Sequence, residues 1–409
     1  MSKKILIFQY SWLLQNYSID LASKLIDLGF EVYFLGFNIT KHQLSDLSQF
    51  KKRGIFFKEF IDSEKKITST NKPSIKKYCY TLLWHFYKLR HYFIFNNIKY
   101  NKTLNRSVLY QTHRFLKNKN FDYIIGIEKQ GLHWAGIFSE LFDVKLVYYS
   151  LELFVEDMQG HNDWMYYEPL RKPELYYHKK CDATIIQDKL RAVVLEKYNL
   201  VKNTRIYLPV AVSGVSVKTT SNYFQNKFNI NNQSYLLLYF GVIGPYRFCE
   251  ETVEISKKLP LNISMVFHGI DFSDYVNTKL KSKSQSTGVY FSLDKEPENK
   301  IPEIIRSAHI GLALYHLEYL NDRHIAYSSQ KIAYYFKCGI PIIAFKNESF
   351  IDLYSHFKCV RMINDVSEIP EACSEIIDNY ELYSSEAYKA YDKFYRFENI
   401  SEAITMYFN

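Results

Sequence analysis

The sequence predicts an α/β protein of two domains, each built on a parallel β-sheet. With 409 residues, the chain is about twice the usual length of one domain. Short apolar runs typical of strands alternate with longer amphipathic runs typical of helices, as in parallel sheets with crossover helices. A polar segment, 213–233, separates two such series. We therefore predict two Rossmann-like domains in tandem, facing each other across a cleft.

The first series starts at the amino terminus and is assigned residues 1–212. A predicted helix at 19–28 ends at Gly29, and glycine is typical of helix C-termini. A second helix at 131–142 and a third at 188–198 lie between or after the later strands. The predicted strands of this domain are 5–9, 32–35, 123–127, 145–149 and 183–186.

The second series is assigned residues 213–385, with the polar segment 213–233 as the interdomain linker. Residues 386–409 are predicted to form a C-terminal helix that returns to the first domain. The predicted strands of the second domain are 235–240, 263–267, 289–291, 310–313 and 342–345, and its helices are 250–258, 300–307 and 330–337.

Composition excludes several classes of protein. The longest uncharged apolar runs, such as 235–244, fall far short of the roughly 20 residues that cross a bilayer. Lys3 and Lys4 lead directly into a strand, which leaves no room for a signal peptide. The six cysteines form no CxxC pair, which argues against disulfides and a zinc site. We expect a cytoplasmic protein with reduced cysteines and no metal.

The positive charge is concentrated in one basic aromatic segment, 65–121. It contains thirteen Lys and Arg residues and no Asp or Glu, and its aromatic side chains are interleaved with the cations. This pattern predicts contact with an anionic membrane surface, at the inner face of the plasma membrane. In the alternative interpretation, the aromatic residues form core and the cations face water. No RRM, KH or zinc-knuckle pattern accompanies the cations, so no nucleic-acid partner is predicted.

Two short segments are candidates for binding phosphate. Neither GxGxxG nor GxxxxGK[ST] follows any strand, which argues against a dinucleotide dehydrogenase or a P-loop NTPase. Instead, the strand at 235–240 runs into Gly241 and Gly244, whose backbone amides can approach an anion, and then into Arg247. Ser329 is a candidate N-cap, and Lys331 opposes the helix dipole unless an anion is nearby. A plain βα loop and a solvated lysine fit the same spacing.

Two glutamates are the candidate catalytic groups. Glu152 and Glu128 follow two adjacent strands of the first domain, where ligands of open α/β sheets bind. Each alone is more often a solvated or capping carboxylate. We take Glu152 as the first candidate for orienting or deprotonating an acceptor hydroxyl and Glu128 as the second. His161 and Asp163 are assigned to the acceptor side, and His133 fits a structural histidine.

Four segments carry a family resemblance. LVYYSLELF (146–154), CDATII (181–186), LPV (208–210) and SQKIAYYFKCGIPIIA (329–344) resemble, in order, motifs of retaining GT-B glycosyltransferases of the glycogen-synthase-like family 4. The resemblance implies a GT-B fold and sugar transfer from a nucleoside-diphosphate sugar to a glycan or lipid-linked glycan, as in bacterial-type surface polysaccharide synthesis. It also implies retention of configuration and no cofactor besides the donor. Arg247 and Lys331 match positions that hold the donor diphosphate.

The sequence departs from the family at three positions. Tyr334 replaces a glutamate that contacts the donor ribose, Ala326 lies eight residues earlier, and Leu151 replaces a histidine. We assign Tyr334 and His268 to the donor nucleoside, although His268 also fits a structural histidine. Two alternatives stay open. One is a sugar-nucleotide epimerase, which has the same fold but a different reaction, and the other, which takes Ala326 and Tyr334 at face value, is a catalytically degenerate partner subunit.

Overall fold

The computed structural model describes most of the chain: residues 3–9, 16–37, 52–60, 82, 84–90, 93, 106–116, 118–155, 164–245, 247–285 and 288–409. It divides into two compact units. The first contains Met1–Leu208 and Ala403–Asn409, and the second contains Pro209–Glu402.

The first unit is built on a seven-stranded, fully parallel sheet of order β3-β2-β1-β4-β5-β6-β7. Its strands are β1 (Lys4–Gln9), β2 (Glu31–Phe37), β3 (Phe56–Phe60), β4 (Tyr123–Ile127), β5 (Lys145–Tyr149), β6 (Ala183–Ile186) and β7 (Thr204–Tyr207). Its helices are α1 (Asn16–Asp27), α2 (Arg106–Leu116), α3 (Glu128–Phe142), α4 (Trp164–His178) and α5 (Lys189–Asn199).

The second unit is built on a six-stranded, fully parallel sheet of order β10-β9-β8-β11-β12-β13. Its strands are β8 (Tyr235–Ile243), β9 (Ile263–Asp271), β10 (Val289–Ser292), β11 (Ile310–Ala313), β12 (Ile342–Phe345) and β13 (Val360–Ile363). Its helices include α6 (Tyr223–Phe228), α7 (Cys249–Ile255), α8 (Ile301–Arg306), α9 (Leu320–Arg323), α10 (Gln330–Lys337), α11 (Glu348–His356), α12 (Ile369–Asp378), α13 (Tyr380–Ala390) and α14 (Phe397–Ile400).

Burial on both faces explains why these strands are continuous apolar runs. Leu236 and Leu238 of β8 belong to one buried cluster, and Leu237 and Tyr239 belong to another on the opposite face. Successive side chains of a strand point to opposite faces, so a strand covered by helices on both sides must be apolar throughout. This burial confirms the α/β class predicted from the alternating pattern.

The polar segment 213–233 is not a linker between the units. The division falls between Leu208 and Pro209, four residues before the predicted boundary, so the whole segment lies in the second unit. Within it, α6 buries Phe224 completely against the core of that unit. The sequence did not predict this short helix, because the segment is polar in composition and only Phe224 and Gln225 of the helix are buried.

The carboxyl terminus is divided between the two units. Residues 386–402 belong to the second unit, and Ala403–Asn409 belong to the first. A last helix, α15 (Glu402–Phe408), buries Phe408, whose ring lies 5.0 Å from that of Tyr123 and 6.1 Å from that of Phe30. The rings of Phe408, Tyr123 and Phe30 therefore hold this segment at the amino-terminal ends of β2 and β4.

The described part of the basic aromatic segment has both buried and exposed apolar side chains. Residues 84–90 are helical, and Tyr87 is buried among the core residues of the first unit. Phe86 and Phe93 are exposed. The segment is therefore partly core, as its alternative interpretation holds, and partly an apolar surface. None of the helices in the described ranges combines the length and the hydropathy of a bilayer-spanning segment.

Candidate functional site

The candidate phosphate-binding residues of the second unit lie close together at the point where the strand order of its sheet reverses. Strand order reverses between β8 and β11, and such a switch point is where open α/β sheets bind ligands. Arg247 follows β8, Tyr315 follows β11, and Lys331 lies in the first turn of α10. Sheet topology thus brings together residues far apart in the sequence.

These residues form one compact cationic cluster. The guanidinium carbon of Arg247 lies 5.7 Å from the centre of the Tyr315 ring, and Lys331 Nζ lies 4.8 Å from it and 5.3 Å from the Tyr239 ring. Arg247 Nη1 donates to Asp322 Oδ2 at 2.9 Å. With Lys331 protonated, two cations and one carboxylate sum to +1, so the cluster favours an anion.

Lys331 is held in surroundings that disfavour its charge. Burial, followed by the nearby charge of Arg247, lowers the pKa of Lys331 to about 7, against opposing effects of Cys249 and Asp322. Part of the residue remains exposed, but its ammonium lies against two aromatic rings. An anion bound beside it would favour the charged form and raise this pKa.

The glycines and Ser329 act differently from the sequence prediction. Gly241 is not in a turn, because β8 continues to Ile243 and the chain leaves the strand only at Gly244. Gly241 has φ +129°, a conformation that side chains rarely adopt, and it pairs with Gly269 of β9. Ser329 occupies the N-cap position of α10 without a capping hydrogen bond, because its Oγ lies 2.7 Å from Tyr315 Oη.

The two residues assigned to the donor nucleoside are engaged within the second unit. Tyr334 is buried and donates its hydroxyl to Glu298 Oε1 at 2.9 Å. His268 is also buried, with Nδ1 2.9 Å from Ser292 Oγ and its ring stacked on Phe240. For His268 these contacts favour the structural alternative. Contact of either residue with a nucleoside stays a prediction.

In the first unit, Glu128 lies at the corresponding switch point, next to β1. Strand β4 ends at Ile127, and helix α3 begins at Glu128 without an intervening loop. The turn places Glu128 at φ +61°, which is uncommon for a residue other than glycine. Gly126 permits this tight passage, since a Cβ there would lie 2.5 Å from the Cα of Leu132 in α3.

Glu128 holds the turn that carries Glu152. Its Oε1 accepts hydrogen bonds from the backbone N–H of Leu151 at 2.6 Å and of Glu152 at 3.0 Å. Burial, followed by the charge of Glu152, raises the pKa of Glu128 to about 8. At neutral pH Glu128 is therefore mostly protonated, whereas the side chain of Glu152 is exposed.

Other side chains hold the same turn. Gln187 Nε2 donates to the carbonyl of Ser150 at 2.7 Å, and Arg191 Nη2 donates to the carbonyl of Leu151 at 2.5 Å. Lys129 donates to the carbonyl of Phe154 and forms a buried ion pair of 3.0 Å with Glu174. Because these donors come from α3, α5 and the end of β6, the backbone that carries Glu152 is fixed on several sides.

Four buried polar atoms at this turn have no hydrogen-bond partner within the part of the chain that the structure describes. They are Glu128 Oε2, Tyr149 Oη, Ser150 Oγ and Gln187 Oε1. A buried polar atom left unpaired costs roughly 1–3 kcal/mol, so such atoms call for a ligand or a water. Hydroxyl groups of a bound sugar are suitable partners, because each can donate and accept.

The remaining predicted residues do not extend this site. His161 and Asp163 lie outside the described residues. His133 is buried, and its ring stacks on that of Trp134, which fits its interpretation as a structural histidine.

Sequence reasoning missed several members of both sites. Tyr315 was detectable, because it follows β11 at the switch point as Arg247 follows β8. Asp322 and Tyr239 carry no such signal, since an acid on a short helix and a tyrosine inside a strand are common. Gln187 and Arg191 were missed because their partners are backbone carbonyls, which no motif reveals.

The comparisons with known proteins find similarity in structure but not in sequence. No protein-family model and no curated protein sequence matches the chain. Anabaena HepE in complex with UDP-glucose is similar over 98% of each chain, with 12% identity and a TM-score of 0.65. Sucrose-phosphate synthase from Thermosynechococcus elongatus is similar over 99% of this chain and 97% of its own, with 11% identity and a TM-score of 0.67.

A third similar structure is the lipopolysaccharide outer core galactosyltransferase WaaB in its apo form. It matches over 99% of both chains, with 13% identity and a TM-score of 0.58. At such low identity the likeness establishes architecture alone. The chain therefore has the GT-B fold that the sequence resemblance predicted, and each of its two units is built on a fully parallel sheet.

Proposed function

We propose that the protein is a glycosyltransferase that moves a sugar from a nucleoside-diphosphate sugar to a glycan or lipid-linked glycan, in bacterial-type surface polysaccharide synthesis. The observation that carries the proposal is the cluster of Arg247 and Lys331 at the switch point of the second sheet. HepE, with the same fold, is described in complex with UDP-glucose, and WaaB is a galactosyltransferase of the lipopolysaccharide outer core.

In this proposal the second unit binds the donor. The bond between the anomeric carbon and the diphosphate oxygen breaks, and negative charge grows on the leaving nucleoside diphosphate. Arg247 and Lys331 stabilise that charge without a metal ion, and retention of configuration follows from the family resemblance. The first unit binds the acceptor, whose hydroxyl Glu152 orients or deprotonates. The +1 charge of the cluster and the four unpaired polar atoms at the turn that carries Glu152 support these roles.

Donor binding tests the proposal directly. We expect a UDP-sugar such as UDP-glucose to raise the melting temperature, because a ligand at a hundred times its Kd stabilises the folded state by about 2.7 kcal/mol. GDP-, CMP- and TDP-sugars measured in the same thermal-shift series identify the preferred nucleotide. If none of these donors stabilises the protein, the transferase proposal is wrong.

The products of the reaction distinguish the alternatives. Transfer of labelled sugar to a glycan or lipid-linked acceptor supports the transferase. Donor hydrolysis or epimerisation without transfer supports the sugar-nucleotide epimerase. Donor binding without any turnover supports the catalytically degenerate subunit. That alternative rests on the replacement of family glutamates by Tyr334 and Ala326.

Donor affinity should depend on pH through Lys331. A bound diphosphate favours the protonated ammonium, so binding is coupled to proton uptake when free Lys331 is neutral, that is, above its pKa of about 7. We expect the affinity for UDP-glucose to be nearly constant between pH 6 and pH 7 and to fall above pH 7, by at most about tenfold per pH unit. Isothermal titration calorimetry measures this slope.

The matched variant for the pH prediction is Lys331→Met, which removes the titrating group and retains an unbranched side chain. Its weaker affinity should be nearly independent of pH over the same range. An unchanged slope in Lys331→Met would assign the proton uptake to another group.

A further inference from the structure

Four exposed apolar side chains lie on the segment 82–93, at positions that the structure describes. Leu82, Phe86, Leu89 and Phe93 are 68%, 59%, 58% and 76% exposed, respectively. The described positions 82, 84–90 and 93 are helical. At about 100° of rotation per residue, the spacing of four, three and four residues places all four side chains within roughly 60° of each other. We name these four residues the apolar stripe.

The segment is attached to the first unit through its other side chains. Arg90 donates to both carboxylate oxygens of Glu140, at 2.8 Å and 3.1 Å, and to the hydroxyl of Tyr176 at 3.0 Å. Tyr87 is buried, and Trp84 packs against the core of the unit. These contacts fix one side of the segment on the first unit. The apolar stripe lies on the opposite side, where its side chains are exposed.

The charge around the segment determines what kind of partner fits the stripe. Between Lys65 and Phe121 the chain has thirteen cations and no acidic residue. Lys88 lies on the same segment, with Nζ 4.7 Å from the Trp84 ring. Lys58, Arg114 and Lys119 line a groove of about 400 Å³ elsewhere on this unit. A partner that has both an apolar region and many anionic groups is therefore complementary to the apolar stripe and the cations of this segment.

We infer that the apolar stripe is the face by which the protein inserts into the interfacial region of an anionic bilayer. Large apolar side chains leave water for the headgroup boundary, while the cations of the basic aromatic segment attract anionic headgroups. The inference deepens the proposed function, because a lipid-linked acceptor would be met at that surface. According to this inference, membrane binding requires the apolar stripe, and charge alone is not sufficient.

The experiment is sedimentation with vesicles of phosphatidylcholine containing phosphatidylglycerol. The stripe variant carries Leu82→Ser, Phe86→Ser, Leu89→Ser and Phe93→Ser. We expect the wild-type chain to bind at 0.1 M salt and much less at 1 M, where the Debye length falls from about 10 Å to about 3 Å. The stripe variant should bind at least about tenfold more weakly at low salt, since four apolar anchors are removed. Pure phosphatidylcholine vesicles should bind both poorly.

The matched control removes an equal number of exposed apolar side chains elsewhere: Val193→Ser, Val215→Ser, Leu261→Ser and Leu382→Ser, at positions 51%, 68%, 106% and 49% exposed. This control should bind vesicles like the wild type. The double variant Phe86→Ser with Phe93→Ser serves as a second test if the quadruple variant does not fold. Equal vesicle binding by the wild type and a folded stripe variant overturns the inference.

Two further measurements distinguish membrane insertion from self-association and from failure of the donor site. If the wild type self-associates in sedimentation velocity, the stripe variant is monomeric, and neither binds vesicles, the stripe is a contact between copies and the inference is wrong. Stabilisation by UDP-glucose without vesicles should be the same in the wild type and the stripe variant. If UDP-glucose stabilises neither the wild type nor the stripe variant, and only the wild type binds vesicles, the result contradicts the proposed transferase and supports the membrane inference.

Discussion

Glu152→Gln is expected to lower the rate of sugar transfer by about 100-fold or more, the range typical of losing a general base. The substitution preserves size and most hydrogen bonding but removes the negative charge. Since the side chain is exposed, the fold should be intact, and donor binding in the other unit should be unchanged. Steady-state kinetics with a saturating donor, together with thermal shift by UDP-glucose, measure the two effects separately.

Glu128 provides the matched comparison, because its contacts favour a positioning role over the catalytic one for which it was the second candidate. Its Oε1 accepts from the backbone of Leu151 and Glu152, and an amide oxygen can accept the same two hydrogen bonds. Glu128→Gln should therefore retain turnover within about threefold, whereas Glu128→Ala releases the turn and should lose turnover by about tenfold or more. Rescue by the conservative variant identifies a positioning residue.

The pH dependence gives an independent measure of the same assignment. With a pKa of about 8, Glu128 is mostly protonated at pH 7, which is unsuitable for a base. A folded-state pKa raised above that of the unfolded chain contributes stability that is lost as pH rises through about 8. Glu128→Gln should thus lose less stability than the wild type between pH 7 and pH 9. Full activity of Glu152→Gln with an inactive Glu128→Gln would reverse the two roles.

The fold was predictable wherever burial imposes a periodic pattern. The strands at 123–127, 145–149, 183–186 and 310–313 occur at their predicted bounds, because strands buried on both faces are apolar throughout. Strand β3 (Phe56–Phe60) and strand β13 (Val360–Ile363) lie at sheet edges, and the pattern missed both. Helix α4 was missed because it contains Pro169 and Pro173, which normally indicate interruptions.

The sites were predictable only in part, because topology assembles them. Family resemblance pointed to Arg247 and Lys331, and the switch point explains why two residues 84 positions apart share one aromatic ring, that of Tyr315. The family resemblance gave no sign of Asp322, whose carboxylate lowers the charge of the cluster to +1. Likewise, the sequence placed Glu128 and Glu152 at adjacent strand ends. The separate roles proposed for them rest on two backbone hydrogen bonds to Glu128, which no sequence pattern indicates.

Lys331→Met and Arg247→Ala are each expected to reduce donor turnover by about ten- to a hundredfold. A charge-assisted hydrogen bond to phosphate contributes roughly 1.5 to 3 kcal/mol, which corresponds to that range. Either substitution lowers the charge of the cluster from +1 to 0. The double variant leaves Asp322 as its remaining charge, so the cluster becomes −1 and should repel a diphosphate. We therefore expect the double variant to lose more than either single variant, as measured by kcat/KM for the donor.

The control for these variants is Lys389→Ala, which removes an exposed lysine paired with Glu386 at 2.8 Å in the same unit. Exposed ion pairs contribute about 0 to 1 kcal/mol, so this variant should match the wild type in stability and turnover. Arg247→Lys keeps the charge but loses the planar fork, and it should fall between wild type and Arg247→Ala if Arg247 contacts phosphate through two N–H groups. Wild-type turnover in both Lys331→Met and Arg247→Ala would show that the diphosphate binds elsewhere.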